Sequence, residues 1–303
     1  MKRNGLPVYL GVTCAFSWSL WGLLALLGPQ THAAVRLIVM MVSMFGPALG
    51  SVVAQRRAGE AIAQPLGVVM KPNRWWLVAW LLPLALQPVV IAFGLLVPGV
   101  EWSPDFGGLL ERLGPSLPPD KLAEAKQQLE RLPGAALMAL MAGQALIAGI
   151  SINALAAFGE ELGWRGWLSR HFAGLGFWRR SGVIGVLWGL WHAPIILQGH
   201  NYPQHPVAGV PMMVAFCVLL APLHELVRLR GGSVWAAAVL HGSVNASAGF
   251  GIILLRGGDD RTVGMTGLAG LAALALVDGA LFVVDRVRGG PLTSALVAPP
   301  FVR

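Results

Sequence analysis

Apolar runs of about 18 residues or more recur along the whole chain, which is the length a helix needs to cross a bilayer. Eight such stretches are predicted, at 6–28, 34–54, 75–98, 135–158, 182–198, 210–226, 233–255 and 265–284. Short alternating segments of the kind that build a membrane barrel are not seen. The pattern therefore predicts an all-α protein, a polytopic transmembrane helical bundle of about eight spans. The longest polar interval is 99–133. Within it Pro118, Pro119 and Asp120 resemble a helix start, and Leu122, Leu129 and Leu132 fall near one face, predicting an amphipathic helix on the outer membrane surface. Trp75 and Trp76 open the third span at interfacial height. Gly46 with Gly50, and Gly185 with Gly189, are small residues four apart that favour close helix contact.

Composition agrees with this pattern. Of 303 residues 55% are hydrophobic and 12% charged, against about 25% charged in a soluble domain. The net charge of +8 is then an orientation signal rather than a nucleic-acid one, because Lys and Arg concentrate in cytoplasmic loops. With the N-terminus inside, the inner segments hold Lys2, Arg3, Arg56, Arg57, Lys71, Arg74, Arg165, Arg170, Arg179, Arg180, Arg228, Arg230, Arg286, Arg288 and Arg303. The outer ones hold Arg112, Lys121, Lys126, Arg131, Arg256 and Arg261. Both termini are expected in the cytoplasm. The run at 6–28 is too long for a signal-peptide core and is expected to be retained as the first span. Cys14 and Cys217 lie inside apolar runs and read as packing residues. No metal-type cysteine spacing, dinucleotide fingerprint, phosphate loop or convincing repeat is present.

Ionisable residues within spans mark candidate sites, because burying them in lipid is costly. Three places stand out: Glu160, Glu161 and Arg165 in "EELGWR"; His192 in "WGLWH"; and His241 with Asn245 in "HGSVN". Glu161 and Arg165 are four apart with the acid first, the favourable order for a pair on one helix face. Glu160 lies about 100° around the helix and is free to meet a different neighbour. His241 and Asn245 share a face by the same spacing. The fourth span runs inward and carries its carboxylates toward the cytoplasmic side. His192 and His241 lie about 15 Å and about 12 Å along spans that start inside. The groups can therefore converge in the inner half of the membrane, where a carboxylate, two imidazoles and an amide suit water activation and oxyanion stabilisation. Pro194 is expected to kink the helix just past His192. His224, Glu225, Asp278, Arg36, Gln87, Gln144 and Asn153 read as helix-end or packing groups. A buried ion pair, a helix-packing histidine and an asparagine acting as interhelical glue are the plain structural alternatives for the three motifs taken singly.

The three motifs in this order resemble the CPBP family of intramembrane proteases, also called the CAAX protease and bacteriocin-processing (Abi) family, whose pattern is EExxxR, FxxxH and HxxxN or HxxxD. Trp188 stands where that family usually has Phe, which implies an altered pocket wall with the chemistry kept. The resemblance implies an intramembrane endopeptidase in which Glu160 activates water, His192 holds that water, Glu161 and Arg165 fix the motif, and His241 and Asn245 stabilise the oxyanion. It divides the chain into an N-terminal transmembrane region with the amphipathic outer loop (1–134), a catalytic helical core (135–255), and a final span with a cytoplasmic tail (256–303). A glutamate-type hydrolase without an obligatory cofactor is favoured, with zinc held by Glu160, His192 and His241 as the metalloprotease alternative. Expected partners are membrane lipid and a peptide or protein substrate, including a membrane-associated tail, and no nucleic acid. The Gly-, Ala- and Arg-rich composition points to a multi-pass protein of a bacterial inner membrane. Competing readings are a proton-coupled transporter, which lacks a paired inverted repeat here, and a non-catalytic scaffold or immunity protein.

Overall fold

A computed structural model describes residues 5–28, 30–114, 117–131 and 133–290. Helix α1 (Gly5–Leu27) is followed by α2 (Ala33–Ser43) and α3 (Gly46–Ala58), which form one passage interrupted at Met44 and Phe45 ahead of Pro47. A short α4 (Ala63–Leu66) precedes α5 (Arg74–Gly94), whose first turn is capped by the Asn73 side chain accepting from the Trp75 amide. The long polar interval holds β1 (Glu101–Trp102), α6 (Gly107–Leu113) and α7 (Pro119–Glu130). Next come α8 (Gly134–Ile150), α9 (Ile152–Glu161), a π-helical turn over Leu162–Leu168 and α10 (Ser169–His171). The remainder is α11 (Phe177–Trp191), α12 (Ala193–Ile196), α13 (Pro206–Arg230), α14 (Val234–Ser247), α15 (Phe250–Ile253), β2 (Leu255–Arg256) and α16 (Leu268–Val287).

The all-α polytopic architecture is as the apolar pattern predicts, but the spans divide differently. Six passages are long and apolar enough to cross a membrane: Gly5–Leu27, Ala33–Ala58, Arg74–Gly94, Pro206–Arg230, Val234–Ile253 and Leu268–Val287. A seventh is reached if α7 and α8, bent by 100°, are taken together. The difference from eight lies at 135–158 and 182–198. The first is interrupted at Ser151, whose φ of −114° and ψ of −106° end α8 after 17 residues. The second stops at Trp191, since Pro194 has no amide hydrogen with which to continue the ladder. The sixth predicted stretch, 210–226, extends instead to Pro206–Arg230.

Side chains at the two ends of the bundle tie the loops into two layers. At one end β1 pairs antiparallel with β2, Arg112 donates to the carbonyls of Leu255 and Gly257, and the His205 Nδ1 lies 2.7 Å from Asp260 Oδ1. At the other, Asn73 donates to the Arg230 carbonyl, Trp76 to the Gly231 carbonyl, and Arg228 to the carbonyls of Leu66 and Arg165. Helix α7 belongs to the first layer. Its half-buried face is Leu122, Ala125 and Leu129, and Leu129 packs against the cluster of Phe106 and Phe250. The predicted face is therefore real, although part of it rests on protein. Leu132 lies outside the described residues.

Two contacts explain how the helices come close enough to form a site. A Cβ on Gly185 or Gly189 would lie 2.6 or 2.5 Å from the Cα of Val218 or Val214, so α11 and α13 touch backbone to backbone. The N-terminal third then packs onto the core through aromatic rings: Tyr9 stacks on Trp167 at 4.7 Å, and Trp21 meets Trp191 at 4.7 Å. Such ring pairs add about 0.5–1.5 kcal/mol beyond the area they bury.

Candidate active site

The two carboxylates close α9, and the π-helical turn begins with the next residue. A π turn has poorer hydrogen-bond geometry than an α turn and is met as single turns at functional sites. Here all seven of its residues are buried, so packing on every side holds it in place. Helix α14 approaches α9 at Gly242, where a Cβ would lie 2.5 Å from the Ala154 nitrogen. That contact brings the preceding residue, His241, against Glu161.

Glu161 is fully buried at the centre of a polar cluster. Its Oε1 accepts from Arg165 Nη1 at 3.1 Å and lies 2.8 Å from His241 Nδ1. Two lone-pair positions on one carboxylate oxygen are thereby filled. Arg165 is also buried, and its guanidinium carbon stands 4.6 Å from the centre of the Trp188 ring, in the range of a cation–π contact. His224 completes the cluster. Its Nδ1 bonds to the Leu220 carbonyl at 3.1 Å, and its Nε2 lies 3.9 Å from Glu161 Oε1.

Glu160 faces another way. Its Oε2 accepts from two indoles, Trp188 Nε1 at 2.7 Å and Trp164 Nε1 at 3.3 Å. The carboxylate borders a cavity of about 440 Å³, which is also lined by Trp188, His192, His241 and Asn245. Within it, His192 Nδ1 lies 2.9 Å from the Trp188 carbonyl. A carbonyl only accepts, so Nδ1 carries the proton and Nε2 is left as an acceptor. Asn245 is exposed at the cavity's side, while Glu160 and Trp188 are each 2% exposed at its floor. The rest of the wall is apolar and rich in methionine, including Met40, Met44, Met213 and Met265.

The six residues singled out from sequence thus fall into two adjoining groups. Glu160, His192, His241 and Asn245 border the cavity, and Glu161 and Arg165 lie behind it with His241 shared. Sequence reasoning passed over His224, read as a packing group, and the indole of Trp164. Position on the chain held a clue for the first, since His224 is followed at once by a second acid, Glu225, inside an apolar helix. Glu225 has its own function in packing: it lies 2.7 Å from Arg180 Nε and accepts from the Ser169 hydroxyl at 2.6 Å. Among the described residues, donor atoms converge within 4.8 Å at Glu161, His224 and His241, and again at His205, Asp259 and Asp260. The set of Glu160, His192 and His241 is not such a group.

Residues 142–247 match the model of a protein family described as type II CAAX prenyl endopeptidase Rce1-like. The helical core is Rce1-like. All six motif residues fall inside the matched segment, consistent with the CPBP resemblance. No curated protein matches the chain. An Rce1-like core implies a hydrolase of peptide bonds with a peptide or protein substrate, and the long apolar helices make the chain a multi-pass membrane protein.

Proposed function

We propose that the protein is an intramembrane endopeptidase in which Glu160 is the general base. The observation that carries this reading is the convergence of Glu160, His192, His241 and Asn245 on one cavity. Two indole N–H groups fix the orientation of the Glu160 carboxylate. A water between Glu160 and His192 Nε2 meets two acceptors, one for each of its hydrogens, and keeps a lone pair for the scissile carbonyl. Glu160 takes one proton as the water attacks. The oxyanion then needs donors. The Asn245 amide is one. His241 gives its Nδ1 proton to Glu161, so its Nε2 donates only in the imidazolium form, whose charge Glu161 balances. Collapse of the tetrahedral intermediate returns the proton from Glu160 to the leaving amine.

A metal is not part of this mechanism. The donor set with the closest atoms centres on Glu161 Oε1, whose lone pairs already hold the Arg165 and His241 protons. The guanidinium puts a positive charge where a dication would add two more. Metal analysis of the purified wild-type protein tests this. Stoichiometric zinc that disappears with activity in His192→Ala or His241→Ala protein would replace this reading with a metalloprotease. The general test is comparative proteomics of membranes carrying the wild-type chain or a Glu160→Gln copy. Peptides whose cleavage depends on the wild-type chain support an endopeptidase, and identical membranes would remove it.

A further inference from the structure

The cavity has a floor and a mouth, and they point to opposite ends of the bundle. The floor is Glu160 and Trp188, and beneath it Glu161, Arg165 and His224 are fully or almost fully buried. Below these again come Ser169, Arg180, Glu225 and Arg228, also buried, which bond to one another or to the backbone of the layer joining α4, α10, α13 and α14. That end is closed by satisfied polar groups. Along the other direction the lining continues through Asn245 and Ile252 at the far end of α14 and in α15, Asn201 after α12, Thr266 before α16 and Leu37 in α2. Asn201 and Asn245 are exposed, and Leu37 is 61% exposed. These residues lie toward the layer held by the β1–β2 pair and the His205–Asp260 contact.

The same two ends differ in charge. The closed end carries Arg56, Arg57, Lys71, Arg74, Arg170 and Arg179 next to the buried arginines. At the open end several basic residues are spent on acids in the same layer: Arg256 on Asp105 at 2.6 Å, Arg261 on Asp259 at 2.7 Å and Lys121 on Glu124 at 2.8 Å. The bias of Lys and Arg toward cytoplasmic segments therefore assigns the closed end to the cytoplasm.

We infer that substrate enters from the non-cytoplasmic face of the membrane, as a peptide segment with apolar side chains threaded down the methionine-lined wall to Glu160. Methionine walls adapt to varied apolar side chains, and no charged side chain other than Glu160 and the histidines lines the path. A tail presented in the cytoplasm would meet the sealed Arg180–Glu225 layer instead. The word substrate rests on the endopeptidase reading; the direction of access does not.

Cysteine labelling tests the direction without any assay of cleavage. The full chain is expressed in a bacterial host and treated with a membrane-impermeant maleimide, either on spheroplasts or on inverted vesicles. The wild-type chain, with Cys14 and Cys217, supplies the background. Asn201→Cys at the mouth and Asn245→Cys inside should label on spheroplasts, whereas Lys71→Cys should label only on inverted vesicles. Asn245→Cys that labels only on inverted vesicles, or from neither side, would overturn the inference. So would Lys71→Cys that labels on spheroplasts. Thr266→Cys stands in for Asn245→Cys if that variant fails to accumulate, with the same expected and opposing results. Failure of the endopeptidase reading looks different: cleavage by Glu160→Gln protein with the labelling pattern unchanged.

Discussion

Glu160 and Glu161 are neighbours in sequence with opposite surroundings. Glu161 sits in a sealed cluster whose proton donors, Arg165 and His241, occupy one of its oxygens. Glu160 is held from behind by two indoles and borders open volume. One turn of helix is enough to separate them, because successive residues project about 100° apart. The difference teaches that burial alone does not identify a reacting carboxylate, since both are at most 2% exposed. What distinguishes them is whether the remaining space beside the group is filled by protein or left for a reactant.

The largest effect should come from the sealed side. Glu161→Gln leaves Arg165 buried without its counter-charge, at a cost of about 3–5 kcal/mol. Thermal unfolding in detergent should show a lowered Tm together with lost activity. A fully stable but inactive Glu161→Gln protein would move Glu161 from the support into the chemistry. On the open side, Glu160→Gln should keep the wild-type Tm and lose at least about 10²-fold in rate, the lower range for a missing general base. Near-normal cleavage by that protein would end its assignment.

Asn245→Ala comes next, with kcat falling by about 10²–10³, the range for one oxyanion donor, and falling more than KM rises. Because Asn245 is exposed, its Tm should hardly change; a large drop in Tm would make it helix glue instead. The smallest effect is expected of Trp188→Phe, which keeps the ring and removes one N–H. Hydrogen bonds to charged groups contribute about 1.5–3 kcal/mol, and the Trp164 indole still holds Glu160, so a rate loss near the lower end, about 10-fold, is expected. Wild-type kinetics for Trp188→Phe would show that this indole acts only as a wall.

Much of this arrangement was legible in the sequence. Spacing of four residues gave the Glu161–Arg165 pair, which the structure shows at 3.1 Å, and the 100° offset separated Glu160 from it. Pro194 marked the break after Trp191. Other parts depend on contacts between distant segments, which periodicity does not encode. Trp188 read as a substitute for Phe, yet its indole nitrogen reaches back 28 residues to Glu160. His224 read as packing because nothing in α13 alone brings it near Glu161. The walls supplied by Met40 and Met44 carry no motif at all. The break at Ser151 also escaped notice, since no proline or glycine at that position interrupts the apolar run.

The π-helical turn over Leu162–Leu168 makes this site sensitive to length as well as to residue identity. A π turn spends one residue more than an α turn on the same circuit. Removing any single residue between Leu162 and Leu168 would let the segment relax to an α-helix, and everything after it would rotate by about 100° relative to the glutamates. Trp164 and Arg165 would leave their partners together, and the Tyr9–Trp167 stack would break with them. Such a deletion should therefore be more damaging than most substitutions in the same stretch. The turn works as a phase shifter, setting the catalytic acids and their supports in step by counting residues.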